Sequence, residues 1–288
     1  MTIHITELPH RGVLEIQGED KASFLQGLIT NDIQLVTPEK TIYACLLTPQ
    51  GRFLYDFFIM ENKGSFLLET ETNRLEELLK KLTLYKLRAK VNLHLRPDLK
   101  VYALWGENVP QALDLLNEEG RTQANFFMDP RLVTLGARRL TPSEPTGFQS
   151  ATPNDYDFHR LSLGIPEGGR DLIPEKSILL ESNLDELNAI SWTKGCYMGQ
   201  ELTARTKFRG LVRKHLLPVI IHEGTPEEGA DVFLNEQVVG EMRTHNKDRG
   251  LALLRLDDVM EKENLVCGNA RLTPYIPAWM ILEDLDPS

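Results

Sequence analysis

The sequence predicts an α+β protein whose last part is a small β-barrel. Two observations carry this. Through roughly residue 210, segments with strand periodicity and segments with helix periodicity are interleaved rather than regularly alternated, the pattern of an α+β chain. After Pro218 the texture changes to short apolar runs separated by turns, at 216–221, 231–234, 237–242, 251–256 and near 271–276, which fits a small barrel or sandwich.

In chain order, Val13–Gln17 reads as a strand that Gly18 breaks, and Asp20 is placed to cap a following helix in which Ala22, Leu25, Leu28 and Ile29 recur at helical spacing. Strands at about 42–47 and 53–60 flank Thr48-Pro49-Gln50-Gly51, a strong turn signal. A short strand at 66–70 precedes an amphipathic helix over 73–82, with Leu75, Leu78, Leu79 and Leu82 on one face. Residues 84–94 alternate with period two, so a half-buried strand is expected with Lys86, Arg88 and Lys90 on its outer face. A strand at 100–105 leads to a helix at about 109–119 that Gly120 can end. Residues 141–155 are rich in turn formers and read as an exposed loop. Gln200–Lys207 reads as a short helix with Glu201 and Arg205 set for an i,i+4 pair.

The 288 residues suffice for two or three domains, and 41% apolar with 26% charged residues is ordinary for a soluble globular chain. A net charge of −10 argues against broad binding to a nucleic acid backbone. No apolar run approaches the roughly 20 residues that a spanning helix needs, and no membrane partner is expected. The N-terminal stretch has neither a basic region before an apolar core nor an arginine-rich amphipathic leader, so a cytoplasmic protein is the expectation. Cys45, Cys196 and Cys267 are odd in number and far apart, and the seven histidines have no ligand spacing; neither a disulfide framework nor a stable metal site is expected. Glycine-rich phosphate motifs are missing from the sequence.

The most informative string is Lys194-Gly195-Cys196-Tyr197-Met198-Gly199-Gln200-Glu201. A cysteine between two glycines, beside a lysine and just before a helix start, has the surroundings that favour a thiolate. A buried, inert cysteine in a glycine turn is the plain structural reading, and the flanking lysine and glycines favour function over it. Positive charge gathers at Lys86, Arg88 and Lys90 and again in the signature region at Lys194, Arg205, Lys207, Arg209, Arg213 and Lys214. In an acidic protein this fits the focusing of an anionic ligand, against the alternative of a solvated strand face. Tyr156 and Tyr197 are the candidates to stack on a flat ligand, with an ordinary core tyrosine the stronger reading for Tyr156.

The octapeptide resembles the signature of the YgfZ family, folate-binding relatives of the glycine-cleavage T-protein, an aminomethyltransferase; the family includes mitochondrial iron–sulfur assembly proteins of the same type. Phe24–Asp32, the Thr48–Arg52 turn, Gly164-Ile165-Pro166 and Leu172-Ile173-Pro174-Glu175 resemble further family segments. The resemblance implies a T-protein-like fold: a folate-binding region over 1–210, built of two interwoven subdomains (roughly 1–40 with 98–165, and 41–97 with 166–210), then a β-barrel over 211–288. It implies tetrahydrofolate or a folate derivative as ligand, held by Tyr197, Gly195, Gly199, Gln200, Glu201, Arg205, Tyr156, Lys86, Arg88 and Lys90. Cys196, Lys194 and Asp56 are the chemically active candidates, and Cys196 could ligate a metal transiently. The implied role is support of iron–sulfur cluster assembly or repair in client enzymes, including those that methylthiolate transfer RNA. The expected partners are iron–sulfur client or assembly proteins, the expected state is a monomer, and direct nucleic-acid binding is not expected. Two alternatives stand beside this: a folate-dependent aminomethyltransferase, and a non-catalytic folate-responsive adaptor. Against the transferase, Tyr55 stands beside Asp56 where the enzymes have paired acids, and Ser162 aligns with an enzyme glutamate.

Overall fold

The computed structural model describes residues 2–107, 109–110, 126–210, 212–259 and 264–281. The chain forms two compact units, each built from discontinuous segments: Met1–Leu47, Tyr55–Tyr156 and Leu187–Met198 in one, Thr48–Leu54, Asp157–Glu186 and Gly199–Ser288 in the other.

The first unit contains two five-stranded sheets. One joins β1 (His4–Glu7), β7 (Lys100–Trp105), β8 (Phe126–Met128), β9 (Ala137–Thr141) and β10 (Gln149–Ser150) in the order β10-β1-β7-β9-β8, with β10 parallel to β1. The other joins β2 (Arg11–Gln17), β3 (Ile42–Leu47), β4 (Phe53–Asn62), β5 (Ser65–Glu71) and β6 (Asn92–Leu95) in the order β3-β4-β5-β2-β6. β3 is buried along its whole length, as its unbroken apolar run Ile42-Tyr43-Ala44-Cys45-Leu46-Leu47 requires. α1 (Lys21–Gln26) is short, and α2 (Leu75–Lys86) buries Leu75, Leu78 and Leu82.

Charged side chains also sit in this core. Arg11 on β2, Asp56 on β4 and Glu69 on β5 meet Arg138 on β9, with Asp129 and Arg131 just beyond β8. Glu69 accepts from Arg11 (3.1 Å) and Arg138 (2.5 Å), and Asp129 accepts from Arg131 (2.8 Å) and Arg138 (3.2 Å). Three guanidinium groups surround the Phe58 ring, those of Arg11 (5.8 Å), Arg131 (4.8 Å) and Arg138 (4.1 Å).

In the second unit α3 (Pro153–Ser162, whose first turn belongs to the first unit) and α4 (Gln200–Phe208) precede a closed barrel of β11 (Lys214–Glu223), β12 (Asp231–Leu234), β13 (Gln237–Asn246), β14 (Arg249–Arg255), β15 (Leu265–Cys267) and β16 (Ala270–Pro274), in the order β11-β14-β13-β12-β15-β16. The short helix α5 (Leu256–Val259) follows β14. Inward residues such as Leu217, Val219, Val232, Met242, Leu254 and Leu272 fill the barrel, each at or below 1% exposure. β11 runs beside β14 from Lys214 to Ile220, whereas β12 meets β15 at Phe233 and Val266. Arg160 on α3 ties this unit together: it donates to Asp171 (2.6 Å) and to the Thr244 hydroxyl (3.0 Å), and that hydroxyl in turn donates to Asp171 (2.5 Å).

Four expectations are corrected. Residues 84–94 are not one strand. α2 continues to Lys86, Leu87 turns the chain at φ +46° with its side chain 87% exposed, and pairing resumes only in β6. The alternation of apolar and basic residues there is the tail of a helix followed by a turn, so Lys86, Arg88 and Lys90 do not share a sheet face. Asp20 does not cap α1 with its side chain; its carboxylate accepts from the Lys90 backbone N–H (2.7 Å). The 141–155 stretch contains β10 and the start of α3, so it is only partly loop. In the barrel, the Leu265–Cys267 strand carries too few residues to have stood out. The helix expected at 109–119 and Gly120 lie largely outside the described residues.

Candidate functional site

A cavity of about 900 Å³ opens in the first unit. Its volume lies within the range of small-molecule sites. Among the described residues three stretches make up most of its wall, with Pro110 beside them. The first runs from Asn31 to Tyr43 and brings Lys40 and Ile42. The second, 126–133, brings Phe126, Phe127, Met128, Asp129 and Arg131. The third, 188–193, brings Asn188, Ile190, Ser191 and Trp192. Apolar and aromatic surface dominates, with a few amide, hydroxyl and charged groups, the makeup of a small-molecule pocket. Asp129 and Arg131 are held by each other and by Arg138, so their orientation at this wall is fixed from behind. Burial raises the Asp129 carboxyl pKa, but the two arginines outweigh it and hold it below the usual carboxylate range.

The walls are stitched by asparagines. The Asn31 side-chain amide donates to the carbonyls of Tyr43 and Asn188 (both 2.8 Å), and the Asn188 side chain donates to the Pro130 carbonyl (3.1 Å). Thr30 adds two further ties, its hydroxyl to the Ala189 carbonyl (2.6 Å) and its carbonyl to the Ser191 N–H (3.0 Å).

The third wall runs directly into the octapeptide. Lys194 follows Thr193, and its ammonium donates to the carbonyls of Gln26 (2.8 Å), Ile29 (2.7 Å) and Asn31 (2.8 Å). These are the three donors of an ammonium, so Lys194 clamps the turn after α1 and its hydrogens are not directed at the thiol. Burial pulls its pKa down to about 8, with Asp32 opposing. Beyond the clamp, Gly195 and Cys196 are exposed and Tyr197 is buried again, with the Lys194 ammonium 5.2 Å from its ring centroid. The Met198 N–H closes the loop on the Gly27 carbonyl (3.0 Å). Cys196 is thus the exposed tip of a loop held at both ends, whereas Cys45 and Cys267 are fully buried. A Cβ on Gly195 would meet nothing within 4 Å, so the chain itself does not demand a glycine there.

The rest of the octapeptide opens the second unit. Gly199 takes φ +81° at the start of α4, a conformation suited to glycine. Gly51, in the Thr48–Arg52 turn, has φ +83° and lies so near that a Cβ would stand 2.7 Å from the Gly199 carbonyl oxygen. On α4 the expected pair forms: Arg205 donates to Glu201 across 2.5 Å, with both side chains largely in solvent. Gln200 sits half-buried in the first turn.

The other sequence candidates fall elsewhere. Asp56 is 1% exposed and does not line the cavity; it accepts from Arg11 (3.4 Å) and from the Tyr43 hydroxyl (3.1 Å). It therefore reaches the cavity only through Tyr43. Its neighbour Tyr55 is buried under Arg74, 4.0 Å from the ring centroid. Tyr156 is buried between Trp105 (5.4 Å between centroids) and Arg138, which matches the core reading. Lys90 pairs with Glu19 in solvent (2.8 Å). The Ser162 hydroxyl donates back to the Phe158 carbonyl within its helix (2.8 Å). Of the second basic cluster, Lys194 points inward and Lys207 pairs with Asp185 (3.2 Å). Among the described residues no group of three or more His, Cys, Asp or Glu side chains could hold a metal ion, and no helix is long and apolar enough to cross a membrane.

Sequence reasoning missed the cavity residues Asn31, Phe126, Asp129, Arg131, Asn188 and Trp192. Asn31 lies within the recognisable Phe24–Asp32 segment and Trp192 just before the octapeptide, which is the one signal that could have found them.

Comparison with known proteins agrees with this architecture. Residues 2–139 match the family profile described as the GCVT N-terminal domain, and residues 213–281 match that of the CAF17 C-terminal beta-barrel domain. The glycine cleavage system aminomethyltransferase T from Bartonella henselae superposes with a TM-score of 0.76 over 97% of this chain and 86% of its own; at 13% identity this establishes the fold. The T-protein-like fold with a terminal barrel is therefore the fold of this chain. The iron-sulfur cluster assembly factor IBA57, mitochondrial, of Mus musculus is 36% identical over 94% of this chain and 84% of its own length. Its Homo sapiens counterpart is 38% identical over 86% of this chain and 76% of its own. Both relatives are mitochondrial by name, which overturns the expectation of a cytoplasmic protein. With identity at this level across most of both chains, this protein belongs to the IBA57 family of iron-sulfur cluster assembly factors.

Proposed function

We propose that this chain is an accessory protein of iron–sulfur cluster assembly that binds a reduced folate in the cavity of its first unit and handles sulfur or iron at Cys196. The observation that carries the reading is the continuity of the 188–193 cavity wall with the clamped loop that exposes Cys196. The names of the relatives supply the iron–sulfur context. The cavity's volume and lining suit a pterin: Trp192, Phe126 and Ile190 offer flat apolar surface, and Asn31, Asp129 and Ser191 offer polar groups to orient a heterocycle. A bound folate would supply a one-carbon carrier or an occupancy signal.

In this reading the residues divide their work. Lys194 and Tyr197 hold the loop. Gly195 leaves room beside the thiol for an approaching partner. Cys196, the exposed thiol of the loop, is the group that would ligate iron of a cluster passing to a client. Gly199, Gln200, Glu201 and Arg205 build the start of α4. The YgfZ-like octapeptide further supports clients that include the radical enzymes that methylthiolate transfer RNA. An aminomethyltransferase reading is weakened by Asp56, whose two oxygens are engaged by Arg11 and Tyr43 and which does not itself line the cavity.

The test is titration calorimetry with tetrahydrofolate on the full chain, on Trp192→Ala and on Cys196→Ala. Trp192→Ala is expected to weaken binding on the order of tenfold, from lost stacking and burial. Cys196→Ala is expected to leave affinity unchanged and to abolish support of cluster-enzyme activity in a deletion strain. Absence of binding to a folded chain would refute the folate part of the reading.

A further inference from the structure

We propose that Lys194 couples the cavity to Cys196, so that a folate bound between the walls tightens the loop that carries the thiol. The inference rests on the folate reading above and adds a regulation of that site.

The geometry gives Asn31 two faces. Its side-chain amide lies at the cavity and holds the Tyr43 and Asn188 carbonyls, joining two walls; Asn188 then holds the third at Pro130. Its own carbonyl is one of the three oxygens that receive the Lys194 ammonium. Any movement of the walls that shifts Asn31 is therefore felt at Lys194. From Lys194 only Gly195 separates the clamp from Cys196. Ser191 strengthens the link: it lines the cavity, takes the Thr30 carbonyl at its N–H, and accepts the Lys194 backbone N–H at its hydroxyl (3.3 Å).

The ammonium is suited to this task. Three carbonyls from the end of α1 and the turn after it converge as a cage on one nitrogen, so the clamp holds that segment at three points. A ligand pressing the 31–43 and 188–193 walls onto each other favours the closed cage. An empty cavity leaves the cage held by its own bonds alone. Occupancy thereby shifts the loop between held and released populations through its different affinity for the two. Lys194 is a positioning residue here: it acts on the thiol through the loop and touches neither folate nor sulfur.

The burial of Cys45 and Cys267 makes the test clean, because alkylation of the folded chain reports Cys196. The experiment measures the rate of Cys196 alkylation by iodoacetamide with and without saturating 5-formyltetrahydrofolate, with binding followed by calorimetry on the same samples. In the native chain the folate is expected to slow alkylation by about fivefold, the low end of ordinary site-to-site coupling. In Lys194→Met the folate still binds but the rate no longer responds to it. A rate that stays the same or rises while the folate binds overturns the coupling alone. A folate effect that persists undiminished in Lys194→Met points to direct shielding of the thiol and overturns the role of Lys194. No binding of the folate overturns the folate reading and this inference with it. If Lys194→Met does not fold, hydrogen exchange on the native chain decides: slowed exchange of the 195–198 amides on folate addition is expected, and protection confined to the cavity walls overturns the proposal.

Discussion

Arg138 and Glu69 meet across 2.5 Å, with side chains 2% and 0% exposed. They are the centre of a buried set in which three guanidinium groups and three carboxylates balance: Arg11, Arg131 and Arg138 against Asp56, Glu69 and Asp129. Burying that many charges without pairing would be prohibitive, and even paired they contribute less to stability than to geometry. What they determine is where Asp129 and Arg131 stand at the cavity wall.

Removing one member should therefore cost more than its own bonds. Glu69→Gln leaves Arg11 and Arg138 sharing one fewer negative charge in a dry core. The expected loss is about 3–5 kcal/mol of unfolding free energy, read from urea titration. Arg88→Ala, in the exposed turn after α2, should stay within about 0.5 kcal/mol.

The same set predicts an acid-sensitive fold. Burial raises the Asp129 pKa, Arg131 and Arg138 lower it further, and the net is a depressed value in the folded chain. Its contribution is then present above the unfolded carboxylate pKa of about 3.9 and is lost as pH falls through the lower folded value. Stability measured against pH should drop steeply below about pH 4, and Asp129→Asn should flatten that limb while lowering stability at neutral pH. An acid limb left unchanged by this substitution would contradict the assignment.

Two glycines of the turn and the octapeptide should respond in opposite ways. Gly51→Ala forces φ +83° on a residue with a Cβ and drives that atom to 2.6 Å from Leu202 and 2.7 Å from the Gly199 carbonyl. A loss of at least about 1–2 kcal/mol is expected from the backbone alone. Gly195→Ala meets nothing within 4 Å and should leave thermal stability nearly unchanged. If Gly195→Ala nonetheless impairs support of cluster enzymes in cells, the open space beside the thiol is used by a partner.

Thiol counting offers a direct check of burial. The folded chain should take up one equivalent of a thiol reagent, at Cys196, and three after unfolding. Burial, with Asp56 adding to it, pushes the Cys45 thiol pKa well up, which compounds its inaccessibility. Mass spectrometry of the alkylated peptides would identify the site.

Much of this was legible in the chain itself, but unevenly. The turn at Thr48–Arg52 and the helix from Gln200 follow local rules, since their residues interact with sequence neighbours, and most barrel strands are marked by short apolar runs between turns. The octapeptide was legible because glycine and cysteine at those spacings are not explained by packing. Lys86–Lys90 misled because alternation over a few residues is shared by a helix end plus a turn; the reversal at Leu87 depends on a backbone conformation that leucine does not advertise. Lys194 stands out in the sequence as a charge beside a thiol, whereas in the fold its bonds are to carbonyls about 165 residues earlier. The cavity was illegible for the same reason. Most of its described wall comes from three distant stretches, and Asn31, Asp129 and Trp192 become neighbours only through long-range folding.

The barrel closes where β12 touches β15 at Phe233 and Val266, two side chains that remain 36% and 44% exposed, while β11 and β14 run together over their length. A cylinder made this way is not equally strong around its circumference. Its thin seam is where thermal fluctuation first admits water, so the amides of β15 should exchange with solvent long before those of β14. An unzipped β12 would be an uncovered strand edge, the kind that pairs with whatever strand it meets.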